Sequence, residues 1–236
     1  MKPESKIAPF RDYGRRVKAQ FWLKTIGVPT FMVLFFWGYI QILNHAFFPV
    51  TVMPLTAIDR WIPYQNSAWL LYVSLWVYVQ WPLSLIDNRY ELVLYGWVAT
   101  VVSLIGFAIF ILWPTAVPPV DGDVTGVLLK SIRRIDTTGN SCPSLHVAFA
   151  VFTAAWIERF IDRARSAGAI RLLNVAWCLG IVYSTLATKQ HVLLDVIPGA
   201  LLGYFGAVTL ARLENRRRER EVPAVPAQIS PAARKL

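Results

Sequence analysis

The sequence predicts an all-α, polytopic membrane protein with six transmembrane helices in a bundle. Three observations carry that prediction. Of 236 residues, 56% are hydrophobic and only 16% charged, where a soluble domain holds about 25% charged residues. The apolar residues gather in six runs, most of them close to the ~20 residues that cross a bilayer. The basic N-terminus, the Asp87 to Glu91 turn, the Arg159 to Arg171 turn and the arginine-rich tail all fall on one side of the alternating runs, as the positive-inside rule leads one to expect of a multi-pass protein.

The chain opens on a basic segment, 1–20, carrying Lys2, Lys6, Arg11, Arg15, Arg16 and Lys18 against Glu4 and Asp12. It has the charge of a signal-peptide n-region, but the apolar run behind it is too long and lacks a small-residue cleavage site, so a retained first span is expected. That span covers about 26–43. The stretch 44–65 is aromatic and proline-punctuated, which suits an interfacial loop with a short surface helix, and His45 within it reads as an interfacial side chain without chemistry. Span two, about 67–86, meets span three, about 92–113, through the polar turn Asp87-Asn88-Arg89-Tyr90-Glu91. A long polar connection, 114–142, follows; long ordered loops are usually functional.

Span four begins at Pro143 or Ser144 and ends near Ile157, ahead of a turn rich in arginine: Arg159, Arg163, Arg165 and Arg171. Span five covers about 172–186 and span six about 191–210, with a kink expected at Pro198, whose ring removes a helix hydrogen bond. Gly199 and Gly203 form a small-xxx-small face that lets span six approach a neighbour closely. From Arg212 the chain is highly charged and then rich in proline and alanine, a composition that predicts disorder. The organisation expected is thus a basic segment 1–20, a membrane domain 21–211 and a charged tail 212–236. Both termini and the arginine-rich turn fall on one side, the cytoplasmic one, and the 114–142 loop on the exoplasmic side.

The formal charge of +10 does not argue for a nucleic-acid partner, because the basic residues flank apolar spans and form no separate basic domain. The partner they imply is the bilayer. Cys142 and Cys178 make no disulfide framework.

The chemistry concentrates in two stretches. Pro143-Ser144-Leu145-His146 sets a capping serine before a helix whose first amides point outward, a ready site for an anion. Ser184 to Asp195 holds His191 and, four residues on, Asp195, one helical face if the helix includes His191. A carboxylate there fixes the imidazole tautomer and leaves the other nitrogen free to attack an electrophile. An unpaired Asp195 at the bilayer centre would cost about 2.5–3.5 kcal/mol, so a partner is expected for it. The plainer alternatives are that Ser144 caps a helix, that His146 is interfacial, and that His191 and Asp195 simply hold helices together. No cluster supplies the three or four ligands of a usual catalytic metal site.

Pro143-Ser144-Leu145-His146 resembles the second motif of the type 2 phosphatidic acid phosphatase superfamily. Ser184, His191 and Asp195 keep the spacing of its third motif. The resemblance implies a six-helix membrane fold, no metal or other cofactor, and a lipid phosphate or pyrophosphate as substrate. It also implies that His191 attacks phosphorus, Asp195 orients it and His146 protonates the leaving oxygen. Thr185 stands where the third motif has arginine, and the first motif has no clear copy around Trp113-Pro114-Thr115. Phosphate cradling then falls to Ser144 and Ser184 of the motifs and to the cations Lys189, Arg133, Arg134 and Lys130. Arg134-Ile135-Asp136 is similar to the inositol phosphorylceramide synthase branch, which implies transfer to a lipid hydroxyl as a second outcome. A lipid-binding or transport protein with a decayed motif is the non-catalytic alternative.

Overall fold

In the computed structural model, residues 13–119, 140–163 and 168–221 are described. They are mostly helical: α1 (Tyr13–Lys18), α2 (Phe21–Asn44), α3 (Ala57–Trp61), α4 (Trp69–Val73), α5 (Leu75–Tyr78), α6 (Gln80–Leu85), α7 (Arg89–Leu112), α8 (Leu145–Arg163), α9 (Gly168–Ala187) and α10 (Leu193–Glu221). Two short strands, β1 (Thr51–Val52) and β2 (Thr115–Ala116), pair in parallel and tie the loop after α2 to the loop after α7.

Among the described residues, α2, α7, α9 and α10 are long and apolar enough to cross a membrane. The two remaining predicted spans differ from expectation. Span two is divided into α4, α5 and α6, with Ser74 and Val79 at the joints near ψ −16° and −19°, tighter than an α-helix. Pro82 cannot donate to the carbonyl four residues earlier, and the Ser74 hydroxyl donates back to Leu71 O at 2.6 Å; both loosen a regular ladder. Span four becomes α8, which runs past Ile157 and carries Glu158, Arg159, Asp162 and Arg163 in its last turns.

Those charges are held in ion pairs at one end of the bundle. Glu214, 3% exposed, lies 3.2 Å from Arg159 and 2.6 Å from Arg163. Arg171 meets Glu158 at 2.8 Å and also Asp162. Arg218 reaches Glu91 at 3.0 Å, and Arg16 of α1 reaches Asp87 at 3.2 Å. Because Glu214 and Arg218 are so anchored, α10 continues to Glu221, and disorder does not begin at Arg212 as the composition suggested.

The core is organised around α8, whose residues Val147, Ala148, Ala150 and Phe152 are fully buried. Its closest neighbour is α10, and the glycines explain why. A β-carbon at Gly199 would overlap Ser144 O, and one at Gly203 would overlap Ala148 O. Both positions therefore let backbone meet backbone, as the small-residue spacing predicted. Pro198 lies inside the continuous α10. The Leu194 carbonyl that its missing N–H would serve is instead 3.8 Å from the Cys142 thiol. Cys142 and Cys178 are both free and buried.

Candidate functional site

Two helix ends and one loop build the site. At the start of α8, Ser144 is the cap: its Oγ accepts from Val147 N at 3.3 Å, and its own N–H donates to Asp195 O at 3.0 Å. The first amides of the helix, including those of Leu145 and His146, have no intrahelical carbonyl to serve. One turn of α8 sets His146 against Tyr72 of α4. The rings stack at 4.4 Å, and Tyr72 Oη lies 3.3 Å from His146 Nδ1.

At the end of α9 the chain turns by a Schellman arrangement. Gln190 N donates to Thr185 O at 3.0 Å and Lys189 N to Leu186 O at 3.2 Å. Lys189 takes the left-handed position, φ 56°, where glycine is the usual occupant. The turn delivers His191 into the interior, 4% exposed, two residues before α10 begins at Leu193. The expectation that His191 is itself helical is thus corrected. Asp195, fully buried, is the third residue of α10, and its Oδ2 accepts from Val192 N at 3.0 Å, half of a capping box. That bond explains the late start: the carboxylate caps the helix from inside and leaves His191 outside it.

The pairing expected between the two residues is nevertheless present in outline. His191 Nδ1 lies 3.7 Å from Asp195 Oδ2, beyond hydrogen-bond length, and a contraction of under about 1 Å would bring it into range. Neither ring nitrogen of His191, nor Asp195 Oδ1, has a hydrogen-bond partner among the described residues. The His146 and His191 rings stand 5.9 Å apart between centroids. A tetrahedral group centred between them would have an imidazole on either side.

The predicted phosphate ligands divide. Ser144 sits at the α8 terminus. The Ser184 hydroxyl is used inside α9, donating to Ile181 O at 2.6 Å. The Lys189 ammonium donates to Asp59 O at 2.6 Å and Ile62 O at 2.5 Å, which leaves one of its three N–H groups. Burial lowers its pKa, offset in part by the Asp59 charge. Lys130, Arg133 and Arg134 lie outside the described residues.

Sequence reasoning missed Asp59, 4% exposed. Its Oδ2 accepts from Thr56 N and Thr56 Oγ1, and its Oδ1 accepts from Leu193 N at 2.9 Å. One carboxylate therefore caps both α3 and α10, and Lys189 clamps the same short helix by its carbonyls. The Thr56-Ala57-Ile58-Asp59 capping-box spacing was the available signal. Asp195 and Asp59 take up the amides of Val192 and Leu193 at the entry to α10, whereas the first amides of α8 can face an anion. Tyr72 was missed as well, because nothing in an apolar run distinguishes a tyrosine that backs a histidine.

The family model described as the PAP2 superfamily matches residues 115–219. No curated protein and no solved structure matches the chain. The matched stretch contains His146, His191 and Asp195 together with most of the helices α8 to α10 that gather them, and over those residues the chain is similar to the PAP2 superfamily.

Proposed function

We propose that the protein is an integral-membrane phosphoryl-transfer enzyme that hydrolyses a lipid phosphate or pyrophosphate at the exoplasmic leaflet. Similarity to the superfamily supports lipid phosphoryl transfer of the phosphatase or phosphotransferase type. The observation that carries the finer reading is the pair of imidazoles 5.9 Å apart, one with a buried carboxylate beside it. In this reading a His191 ring nitrogen attacks phosphorus while the bond to the lipid oxygen breaks. The leaving oxygen takes a proton from His146. Water then attacks the phosphohistidine, giving its proton back to His146, and inorganic phosphate departs. Asp195 steadies the imidazolium that forms. The α8 amides, Ser144, the remaining Lys189 N–H and the loop cations Lys130, Arg133 and Arg134 offset the phosphate charge. A lipid hydroxyl in place of water turns the same steps into headgroup transfer.

The two histidines act in opposite protonation states, so their variants separate the roles. His146→Ala should lose roughly 10²–10⁴-fold on a lipid alcohol phosphate and less on an aryl phosphate, whose leaving group needs no acid. His191→Ala should lose both and form no acid-labile phosphoenzyme. A His191→Ala protein that still turns over aryl phosphate would refute the assignment. Adding a lipid alcohol to the same assay and looking for headgroup transfer distinguishes transferase from phosphatase.

Six membrane-crossing segments, with both termini cytoplasmic, accompany this reading. It is supported by the ion pairs of Arg16, Arg159, Arg163, Arg171 and Arg218 gathered at one end of the helices, opposite the histidines. A cysteine placed after Arg220 should resist an impermeant maleimide in intact cells. Labelling there would reverse the topology.

A further inference from the structure

Five consecutive amides shape the turn that carries His191, and four of them are served from residues 185–195. Lys189 N donates to Leu186 O, Gln190 N and His191 N both donate to Thr185 O, and Val192 N donates to Asp195 Oδ2. The fifth, Leu193 N, is the first of α10 and donates to Asp59 Oδ1 at 2.9 Å. That acceptor lies 134 residues earlier in the chain, upstream of the stretch 115–219 that the family model matches. The loop after α2 thus completes a turn that the matched stretch leaves one acceptor short.

The consequence falls on Asp195. Its Oδ2 lies 3.7 Å from His191 Nδ1, and its Oδ1 has no hydrogen-bond partner among the described residues. A carboxylate at the start of a helix is drawn to the orphan amides there and to the positive end of the dipole. Asp59 answers that pull at Leu193. It is buried, and Thr56 N and Thr56 Oγ1 fix its Oδ2, which holds Oδ1 toward Leu193 N. With that amide taken, Asp195 has only Val192 N to serve and keeps acceptor capacity for the imidazole. We propose that Asp59 is a positioning residue for His191: it occupies Leu193 N so that the Asp195 carboxylate stays free to set the imidazole tautomer. This rests on the phosphoryl-transfer reading for what the imidazole does, and on the hydrogen bonds alone for how it is held.

Four variants of the full chain in nanodiscs separate this role from mere support of α3. Asp59→Ala removes the acceptor of Leu193 N, while the Lys189 ammonium keeps its two bonds, which go to the backbone carbonyls of Asp59 and Ile62. Asp59→Asn retains an acceptor oxygen for Leu193 N. Thr56→Ala removes the hydroxyl of the α3 cap and leaves Leu193 N served. The double variant Asp59→Ala with Leu193→Pro removes the competing donor as well, at a first helical position where proline is favoured. On an aryl phosphate, which reads the attack by His191 without an acid, Asp59→Ala should lower kcat by about 100-fold with KM within about threefold. Asp59→Asn and the double variant should recover to within about tenfold of wild type, and Thr56→Ala should stay within about threefold. An equal loss in Thr56→Ala and Asp59→Ala, no loss in Asp59→Ala, or no recovery in the double variant overturns the proposal.

A second readout needs no turnover. The chain holds three histidines, so ¹⁵N-imidazole spectra contain three ring systems, and His191→Ala identifies the one of interest. At about pH 9, where an imidazole is neutral, wild-type His191 should be a single tautomer with its proton on Nδ1, facing Asp195. Asp59→Ala should lose that preference, and Asp59→Asn, Thr56→Ala and the double variant should keep it. A tautomer mixture in wild type, or an unchanged His191 signal in Asp59→Ala, overturns the proposal. If Asp59→Ala alone does not fold, the double variant decides, and a tautomer mixture there overturns it. If wild type turns over no phosphate ester and the spectra respond as expected, the chemistry is refuted and the positioning role stands.

Discussion

Replacing Gly199 by alanine tests whether the histidine pair depends on close approach of α10 to α8. The added β-carbon would fall inside 3.0 Å of Ser144 O, where ordinary contacts start at 3.4 Å. The obstacle is backbone, which cannot swing aside as a side chain tip can. The helices must separate by at least about half an ångström, an overpacking that costs about 1–3 kcal/mol. The strain falls on the link that sets the site, since Ser144 N donates to Asp195 O at 3.0 Å. Misplacing reacting groups by about 1 Å can cost 10²-fold, so kcat/KM should drop by about 10- to 100-fold. Gly180→Ala is the control. Its β-carbon would meet Leu71 at an ordinary 3.5 Å, and a mid-helix glycine replaced by alanine gains about 0.5–1 kcal/mol. Phosphate release in nanodiscs and unfolding followed by tryptophan fluorescence read the two effects. A Gly199→Ala protein with unchanged kcat/KM and an unchanged unfolding midpoint would refute the reasoning.

The Cys142 thiol gives a prediction that needs no substrate. Burial, and after it the Asp195 charge, pushes its pKa up to about 12, so iodoacetamide at neutral pH should leave it unmodified in the folded protein. The fold favours the neutral thiol. That stabilisation is complete below the ordinary thiol value near 9 and is lost as pH rises toward about 12. Cys142→Ser should therefore flatten the alkaline fall of the unfolding midpoint, and an unaltered slope would contradict the assignment.

Much of the scaffold was legible because bilayer solvation imposes length and composition on helices. The apolar runs that became α2, α7, α9 and α10 could be read directly, as could the glycine face of α10. Span two was harder: Pro82 and the Ser74 hydroxyl disturb the ladder locally, while apolarity alone reports only that a segment is buried or bathed in lipid. Span four looked like the others, yet as the central helix it is surrounded by protein and its charged last turns find partners on α10. At the site, residue types and spacing singled out His146, His191 and Asp195 as candidates, and the motif resemblance is matched by the family model found over residues 115–219. The tertiary bonds were not legible. That Lys189 would serve carbonyls of Asp59 and Ile62, or that Asp59 would cap α10, depends on contacts about 130 positions apart in the chain.

The Glu214 cluster has a further meaning once a bilayer is placed around α10. From Leu193 to Glu214 the helix rises about 32 Å, against a hydrocarbon core of about 30 Å. A carboxylate gripped by two guanidiniums belongs at a headgroup layer, so α10 works as a depth gauge with one end fixed there. On the proposed topology its other end lies at the opposite headgroup layer, and the neighbouring His191 stands level with the phosphates of that leaflet. In the proposed reading, the rigid span of one helix, fastened at its far end, sets the plane in which the imidazoles would meet a lipid headgroup.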